Sequence, residues 1–413
     1  MEKFLKKFKK DKRMQIVAGV IVVAIIGIII ISKVTSKSAN QGTNQVKNNQ
    51  KTQEKYSSEF PDLSNKQKPI NQQEVSPLSG LKCQNPENKD RRPIAVMLAS
   101  DTSVRPLSGV GEADMVFEMP VITASITRLM AVFICNEPEE IGSIRSARHD
   151  YITLAKGIDA ILAHWGGSHF ALEMLKNEDT VPNLDALNNE GGAFFRKAGI
   201  PAPDNGFASY EGLRKAADSL GYRLENHFEG YPHRQESPLD QRGKGGELTV
   251  GYPGKFKVEY TYDPKTNSYL RFWGGQRATD RNNNEQVAPK NVVVMFATSR
   301  QIEGQYNDVD VEGEGEMHAY IEGKEIVGTW EKKKGNCVIG NELVCVNSAK
   351  LKFLNENGEE IKFIPGQLWI QVLEPGQKLK WVPIGTSGMD QATQTQNGSD
   401  SAGVSNSVNV NKY

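Results

Sequence analysis

Residues 14–32, MQIVAGVIVVAIIGIIIIS, form a nearly unbroken apolar run directly behind the basic segment MEKFLKKFKKDKR. At about 1.5 Å of rise per residue, roughly 19 residues make a helix just long enough for a hydrocarbon core of about 30 Å. The lysines and Arg13 ahead of the run favour a cytoplasmic N-terminus, which sends everything after Lys33 across the membrane. The competing reading is a cleaved secretory signal. Against it, the run Ile16–Ile31 exceeds the roughly 7–15-residue core of such signals, and no A-x-A-like site follows. No cysteine stands near its end to take a lipid. The sequence therefore predicts a cell-membrane protein with a cytoplasmic segment 1–13, a single transmembrane helix 14–32 and an extracytoplasmic body.

Residues 33–75 are rich in Gln, Asn, Ser and Lys (SKSANQGTNQVKNNQKTQEK) and cannot bury enough surface to offset their ordering entropy, so they read as a disordered stalk. Residues 385–413 form a second polar tail. About 300 residues remain, enough for two domains with real cores. Lys+Arg and Asp+Glu number 50 each, and the basic excess is local to residues 1–13. A balanced body argues against nucleic acid, which needs a basic face. Cys83, Cys135, Cys337 and Cys345 all follow the anchor, where oxidation is permitted. Cys337 and Cys345 flank VIGNELV symmetrically about Gly340-Asn341, a candidate disulfide across a hairpin; two small buried thiols are the alternative. The six histidines make no HExxH spacing and the cysteines no paired CxxC, so neither a metal nor a cofactor is expected.

The first half of the body, 76–235, alternates strand and helix signals. Arg92–Ala99, Ala113–Met119, Thr127–Cys135 and Ile158–Ala163 are short apolar runs suited to buried strands. Ser146–Lys156 and Ser209–Leu220 have helical spacing behind serine caps, and HFALEMLKNE is a third amphipathic stretch. This is the pattern of an α/β domain, a mixed sheet covered by helices. The polar, Gly-rich stretch 236–247 reads as a linker. From 248 to 384 the period changes to two: KFKVEYTYDPKTNSYLRFW, NVVVMF, a hairpin around Gly323-Lys324 and another around Asn357-Gly358 predict a smaller β-rich domain.

The densest polar cluster is IGSIRSARHDYITLAKGIDAILAHWGGSHF. Arg145 and Arg148 straddle a predicted helix start, where guanidinium forks and helix N-termini both favour anions. The next strand ends in His164-Trp165-Gly166-Gly167-Ser168. Ligands of open α/β sheets gather at carboxyl ends of strands, and two glycines let backbone N–H groups approach an anion. Each residue also has an ordinary reading. The arginines pair with surface acids, His164 is a satisfied core imidazole, and Ser168 caps a helix. Glu118 lies within an apolar strand and needs a partner, for which Arg128 or Arg145 would serve, either as an ion pair or as half of an acid/base site.

NKDRRPIAVMLAS, GEADMVFEM, SITRLMAVF, IGSIRSARHDYITLAKGIDAILAHWGGS and APDNGFASYEGL occur in that order, followed by YLRFWGGQRATD, NVVVMF, IVGTWEKK and GQLWIQVLEP. Together they resemble the YerB-like envelope proteins of bacteria over about residues 76–383. The family is a domain of unknown function, so the resemblance implies location and a two-module architecture, not a reaction. It places Glu118, Thr127, Arg128, Arg145, Ser146, Arg148, His164, Gly166, Gly167 and Ser168 at its motif positions. The chain departs from the family twice. Members are commonly lipoproteins, whereas here an apolar helix is the anchor. The usual Pro-His-Asn reads Pro203-Asp204-Asn205, which weakens an enzymatic reading.

Three functions follow from these residues. One is an envelope protein whose pocket of Arg128, Arg145, Arg148, Gly166, Gly167 and Ser168 holds an anionic cell-wall glycan or peptide. The second is a cell-wall hydrolase or transferase with Glu118 and His164 as acid and base. The third is a structural partner of another envelope protein. Convergence of the arginines with Glu118 and His164 in one cleft would separate the first two from the third.

Overall fold

The computed structural model describes residues 74–176, 180–189, 192–334, 338–339, 343–344 and 348–384. The apolar run 14–32, the stalk as far as residue 73, Cys337, Cys345 and the tail from 385 lie outside the described residues. Among the described residues no helix is long and apolar enough to cross a membrane.

The first half supplies β1 (Ile94–Leu98), β2 (Met115–Pro120), β3 (Thr127–Phe133), β4 (Ile141–Gly142), α1 (His149–Gly157), β5 (Ile161–His164), α2 (His169–Leu175), β6 (Asn183–Asp185), β7 (Phe194–Arg196), β8 (Gly206–Ala208) and α3 (Tyr210–Ser219). The second half begins with β9 (Gly246–Val250), β10 (Val258–Asp263), β11 (Ser268–Trp273), β12 (Gln276–Arg277), β13 (Asn291–Phe296), β14 (Ser299–Glu303) and β15 (Tyr306–Val309). It continues with β16 (Gly313–Ile321), β17 (Lys324–Lys332), β18 (Val338–Ile339), β19 (Leu343–Val344), β20 (Lys352–Asn355), β21 (Leu368–Leu373) and β22 (Leu379–Pro383).

The two halves share one sheet. Its ten strands run β20-β17-β16-β13-β21-β2-β3-β1-β5-β6, and the seam is the parallel pair β2–β21, with Met115 opposite Leu368 and Glu118 opposite Gln371. β1, β2 and β21 are buried along their whole length, as strands covered on both faces must be. On one face lie α1 and α2, whose Tyr151, Ile152, Ala155 and Ala171 pack with Phe117, Met130 and Val132. On the other lies a second sheet, β12-β11-β10-β9-β22. Its strand β10 is buried at every second residue, and Val258, Tyr260 and Tyr262 meet Val116, Leu129 and Phe133 in a common core.

Local differences from the sequence expectations have tertiary causes. α1 starts at His149 with Arg148 at its cap, not at Ser146. Backbone bonds from Ala147 N to Gly166 O and from Ser168 N to Ala147 O hold that stretch extended against the end of β5. The β16–β17 turn is Glu322-Gly323, both at positive φ, one residue earlier than expected. A turn does form at Gly358, but LWIQVL is buried throughout and so inserts between β13 and β2 instead of continuing a hairpin. The stretch 236–247 is pinned at its start, where the carboxylate of Glu322 accepts from Ser237 and pairs with Arg234 at 2.8 Å.

Candidate functional site

β1, β2, β5, β13 and β21 all point the same way, because β1 and β2 are both antiparallel to β3 and the other pairings are parallel. Their carboxyl ends form one edge of the sheet, the usual place for a ligand in such architectures. Arg128 reaches that edge from the second residue of antiparallel β3. The segment carrying Arg145 and Arg148 is laced across it: Arg145 N donates to Met97 O at 2.9 Å, and Trp165 N donates to Arg145 O at 3.1 Å.

The three arginines converge. Arg128 is 8% exposed and makes no ion pair among the described residues. Burial, and then the neighbouring charges of Arg148 and Arg145, pull its guanidinium down to about 9. Arg148 is also lowered, first by burial, with Tyr306 and Asp150 opposing. Its guanidinium lies 5.6 Å from the Tyr306 ring centre and donates to Ala147 O at 3.0 Å. Arg145 alone has acidic partners, Asp204 at 2.9 Å and Asp101 at 3.7 Å. The Nε atoms of Arg128, Arg145 and Arg148 are all buried without an acceptor. Asp101 and Asp204 offset Arg145 and Asp150 acts on Arg148, whereas Arg128 feels only the charge of Asp101 without an ion pair. A buried guanidinium so placed is costly unless an anion joins it.

The remaining sequence candidates are engaged elsewhere. Glu118 is fully buried and faces the second sheet, where Arg271 Nη2 donates to Oε2 at 2.7 Å and Thr127 Oγ1 to Oε1 at 3.0 Å. Its partner is therefore neither Arg128 nor Arg145. His164 is also fully buried, with Gly166 O at 2.8 Å from Nδ1 and Asn183 Oδ1 at 3.1 Å from Nε2. Both acid/base candidates thus have their polar atoms occupied inside the core, so the arginines converge without them and the full five-residue cleft does not form. Gly166 takes φ +60, a conformation that favours glycine, but its N–H is spent on Asp185 Oδ1 at 2.8 Å. A Cβ on Gly167 would meet Leu172 at 3.1 Å, so that glycine serves close packing. Ser168 caps α2 by accepting from Ala171 N at 3.1 Å. The glycine turn shapes the edge without presenting a free cradle.

Next to Arg148, His149, Asp150 and Asp308 bring one ligand-type atom each within 4.8 Å of one another, the one such group of three among the described residues. His149 Nε2 lies 3.2 Å from Asp150 Oδ1 and 3.3 Å from Asp308 Oδ1, which an ordinary histidine–carboxylate network explains. Burial pushes Asp150 up to about 7, against the opposing pull of His149. His149 is raised as well: burial lowers it, but its bond to Asp308 and the charge of Asp150 outweigh that. Asp308 is lowered by its bond to His149.

These shifts give the local pH dependence a sign. The folded chain holds the Asp150 and His149 protons more tightly than the unfolded chain, so both contributions are present at low pH and lost as pH rises through the folded values. The Asp308 contribution is lost only on acidification below the ordinary aspartate range. Asp150→Asn keeps an acceptor for Val309 N and removes the burdened charge. It should raise the melting temperature at pH 8 and flatten the decline between pH 5 and 8. Melting curves of both proteins across that range decide; parallel curves would leave Asp150 without a role in the slope.

Residues 78–223 match the family described as "Protein of unknown function (DUF3048) N-terminal domain", and residues 248–370 match its C-terminal domain. Over 302 residues the chain is 30% identical to "Putative lipoprotein YerB" of Bacillus subtilis (strain 168), spanning 72% of this chain and 86% of that protein. The crystal structure of YerB from Bacillus subtilis is similar with a TM-score of 0.63 at 29% identity, over 72% of this chain and 96% of that one.

Proposed function

The chain belongs to the DUF3048 family, and on that premise we propose that it is an extracytoplasmic envelope protein that binds an anionic ligand through Arg128, Arg145 and Arg148. The observation that carries this is Arg128, a buried guanidinium with two like-charged neighbours, the charge of Asp101 acting on it and no ion pair among the described residues. A phosphate or carboxylate group of a cell-wall glycan or peptide would supply the missing charge, and arginine forks bind such groups bidentately. Three features support the location. The apolar run 14–32 follows a basic segment and reads as a single-pass anchor with its N-terminus inside. Cys83 and Cys135 form a disulfide, which persists in oxidising compartments. The related YerB carries the word lipoprotein in its name. Turnover through Glu118 and His164 is left out of the reading, because both are held inside the core.

The test separates binding from folding. Without ligand, Arg128→Gln should keep or raise the melting temperature, since it removes an unpaired buried charge. Binding of muropeptide or pyrophosphate, measured by calorimetry on the full-length protein, should weaken roughly tenfold to a hundredfold, the value of a charge-assisted bond of about 1.5–3 kcal/mol. Arg128→Lys should recover only part of it. Anions that bind Arg128→Gln as tightly as the parent chain would end the proposal.

A further inference from the structure

A cavity lies where the two family segments meet. It encloses about 310 Å³ between the sheets, with Leu107, Val110 and Leu129 from the first half facing Ala278, Val287 and Trp369 from the second. Small-molecule sites favour such junctions and run from about 300 to 1,000 Å³, so the space fits a small ligand. One wall is a stack of alternating cations and rings. Arg105 lies 3.7 Å from the Trp273 ring centre, and Arg271 lies 4.4 Å from both Trp273 and Trp369. Within that stack only Arg271 is ion-paired, to Glu118, whose charge reaches Arg105 at longer range. Arg105 gives four hydrogen bonds, two to Ser100 O and one each to Lys255 O and Trp273 O, which leaves one Nη2 hydrogen for an incoming acceptor. Lys255 and Arg277 add two exposed cations at the rim.

No carboxylate lines this cavity. Behind the wall, Trp273 Nε1 and Arg271 Nε are buried donors without a partner, so no protein acceptor offsets the cations there. Such donors are rare in folded proteins. The opposite walls are aliphatic. We infer that this cavity binds a small amphipathic organic anion, with an apolar body among Leu107, Leu129 and Val287 and a single carboxylate-type head toward Arg105 and the rim cations. It is a site separate from the Arg128 edge: Leu129 lines the cavity, while Arg128, its neighbour in β3, points to the opposite face of the sheet.

The experiment uses full-length protein in nanodiscs, with empty nanodiscs as the reference, and titrates four probes by calorimetry. Octanoate and phenylacetate carry both parts, octanol lacks the charge, and inorganic phosphate lacks the body. Both carboxylates should bind saturably at one site, octanol at least tenfold more weakly, and phosphate not in this site. A preference between octanoate and phenylacetate tells an acyl chain from an aromatic acid. Arg105→Gln should weaken the carboxylates tenfold or more and leave octanol unchanged. Val287→Phe, which fills the cavity, should abolish all of it. Arg128→Gln should change nothing here, which keeps this inference independent of the anion site at the sheet edge. If Arg105→Gln does not fold, the Lys255→Gln/Arg277→Gln pair changes only exposed side chains and should still weaken both carboxylates severalfold. Absent saturable carboxylate binding, or binding indifferent to these charges and to Val287→Phe, overturns the site.

Discussion

Arg271→Ala should destabilise the folded protein by about 3–5 kcal/mol, because it strands a buried carboxylate. Glu118 is 0% and Arg271 1% exposed at the side chain, so the intact pair is dry, and water entering through the cavity that Arg271 lines would replace its charge only in part. Thr127 would remain as one donor, and Tyr252 donates only to the Glu118 backbone carbonyl. A loss of this size is a large share of a typical domain's total stability of about 5–15 kcal/mol. Glu118→Leu combined with Arg271→Met should lose less than Arg271→Ala alone, since no charge is then left unpaired. Denaturant titration of the three chains is the measurement. Should the double variant lose as much as the single, the worth of Arg271 would lie in its packing between Trp273 and Trp369, not in its charge.

This pair also shows how far the sequence could be read. The apolar run of β2 announced a buried strand, and Glu118 within it announced a buried carboxylate in need of a partner. The partner lies 153 positions further along, and nearby arginines were the wrong place to look. A local signal for Arg271 did exist. In SYLRFW a period of two puts Tyr269, Arg271 and Trp273 on one face, and that face is the buried one. An arginine at an inward position of a strand is the mirror image of Glu118 within β2, and matching the two would have joined the sheets. The convergence of Arg145 and Arg148 was legible because strand ends and helix starts are local features. Arg128 joined them by topology, since antiparallel β3 starts where β1 and β5 end.

Other features depended on distant partners that composition does not carry. Residues 236–247 look like a linker, yet the β16–β17 turn captures Ser237 through Glu322. The glycines after His164 suggested a cradle, but Asp185, from the neighbouring strand β6, takes the available N–H. The parallel seam β2–β21 joins strands about 250 residues apart, a non-local pairing for which neither strand holds a cue beyond its burial. The shared sheet means that the arginine edge and the cavity between the sheets depend on both family segments together.

Replacing Cys83 and Cys135 together by serine should lower stability by about 4 kcal/mol, from the chain-entropy value of a loop that links residues 52 apart. The effect falls mainly on the unfolded chain, because other bonds keep the same segment in place. Ser76 Oγ and Ser79 Oγ donate to Asp114 Oδ1 at 2.9 and 2.5 Å, and Asp114 Oδ2 accepts from Ile134 N and Cys135 N. Asn88 adds a bond to Cys135 O at 3.1 Å. The native site should therefore be spared. Cys135 stands two residues beyond the end of β3 while Arg128 is its second residue, and seven residues of extended chain span about 20 Å. Below its lowered melting temperature, the double-serine protein should bind anions at the arginine edge as the parent does. Denaturant midpoints and calorimetry on one preparation check both halves. Unchanged stability would remove the bridge from the account of the fold, and lost binding would show that the disulfide end of β3 reaches the ligand edge after all.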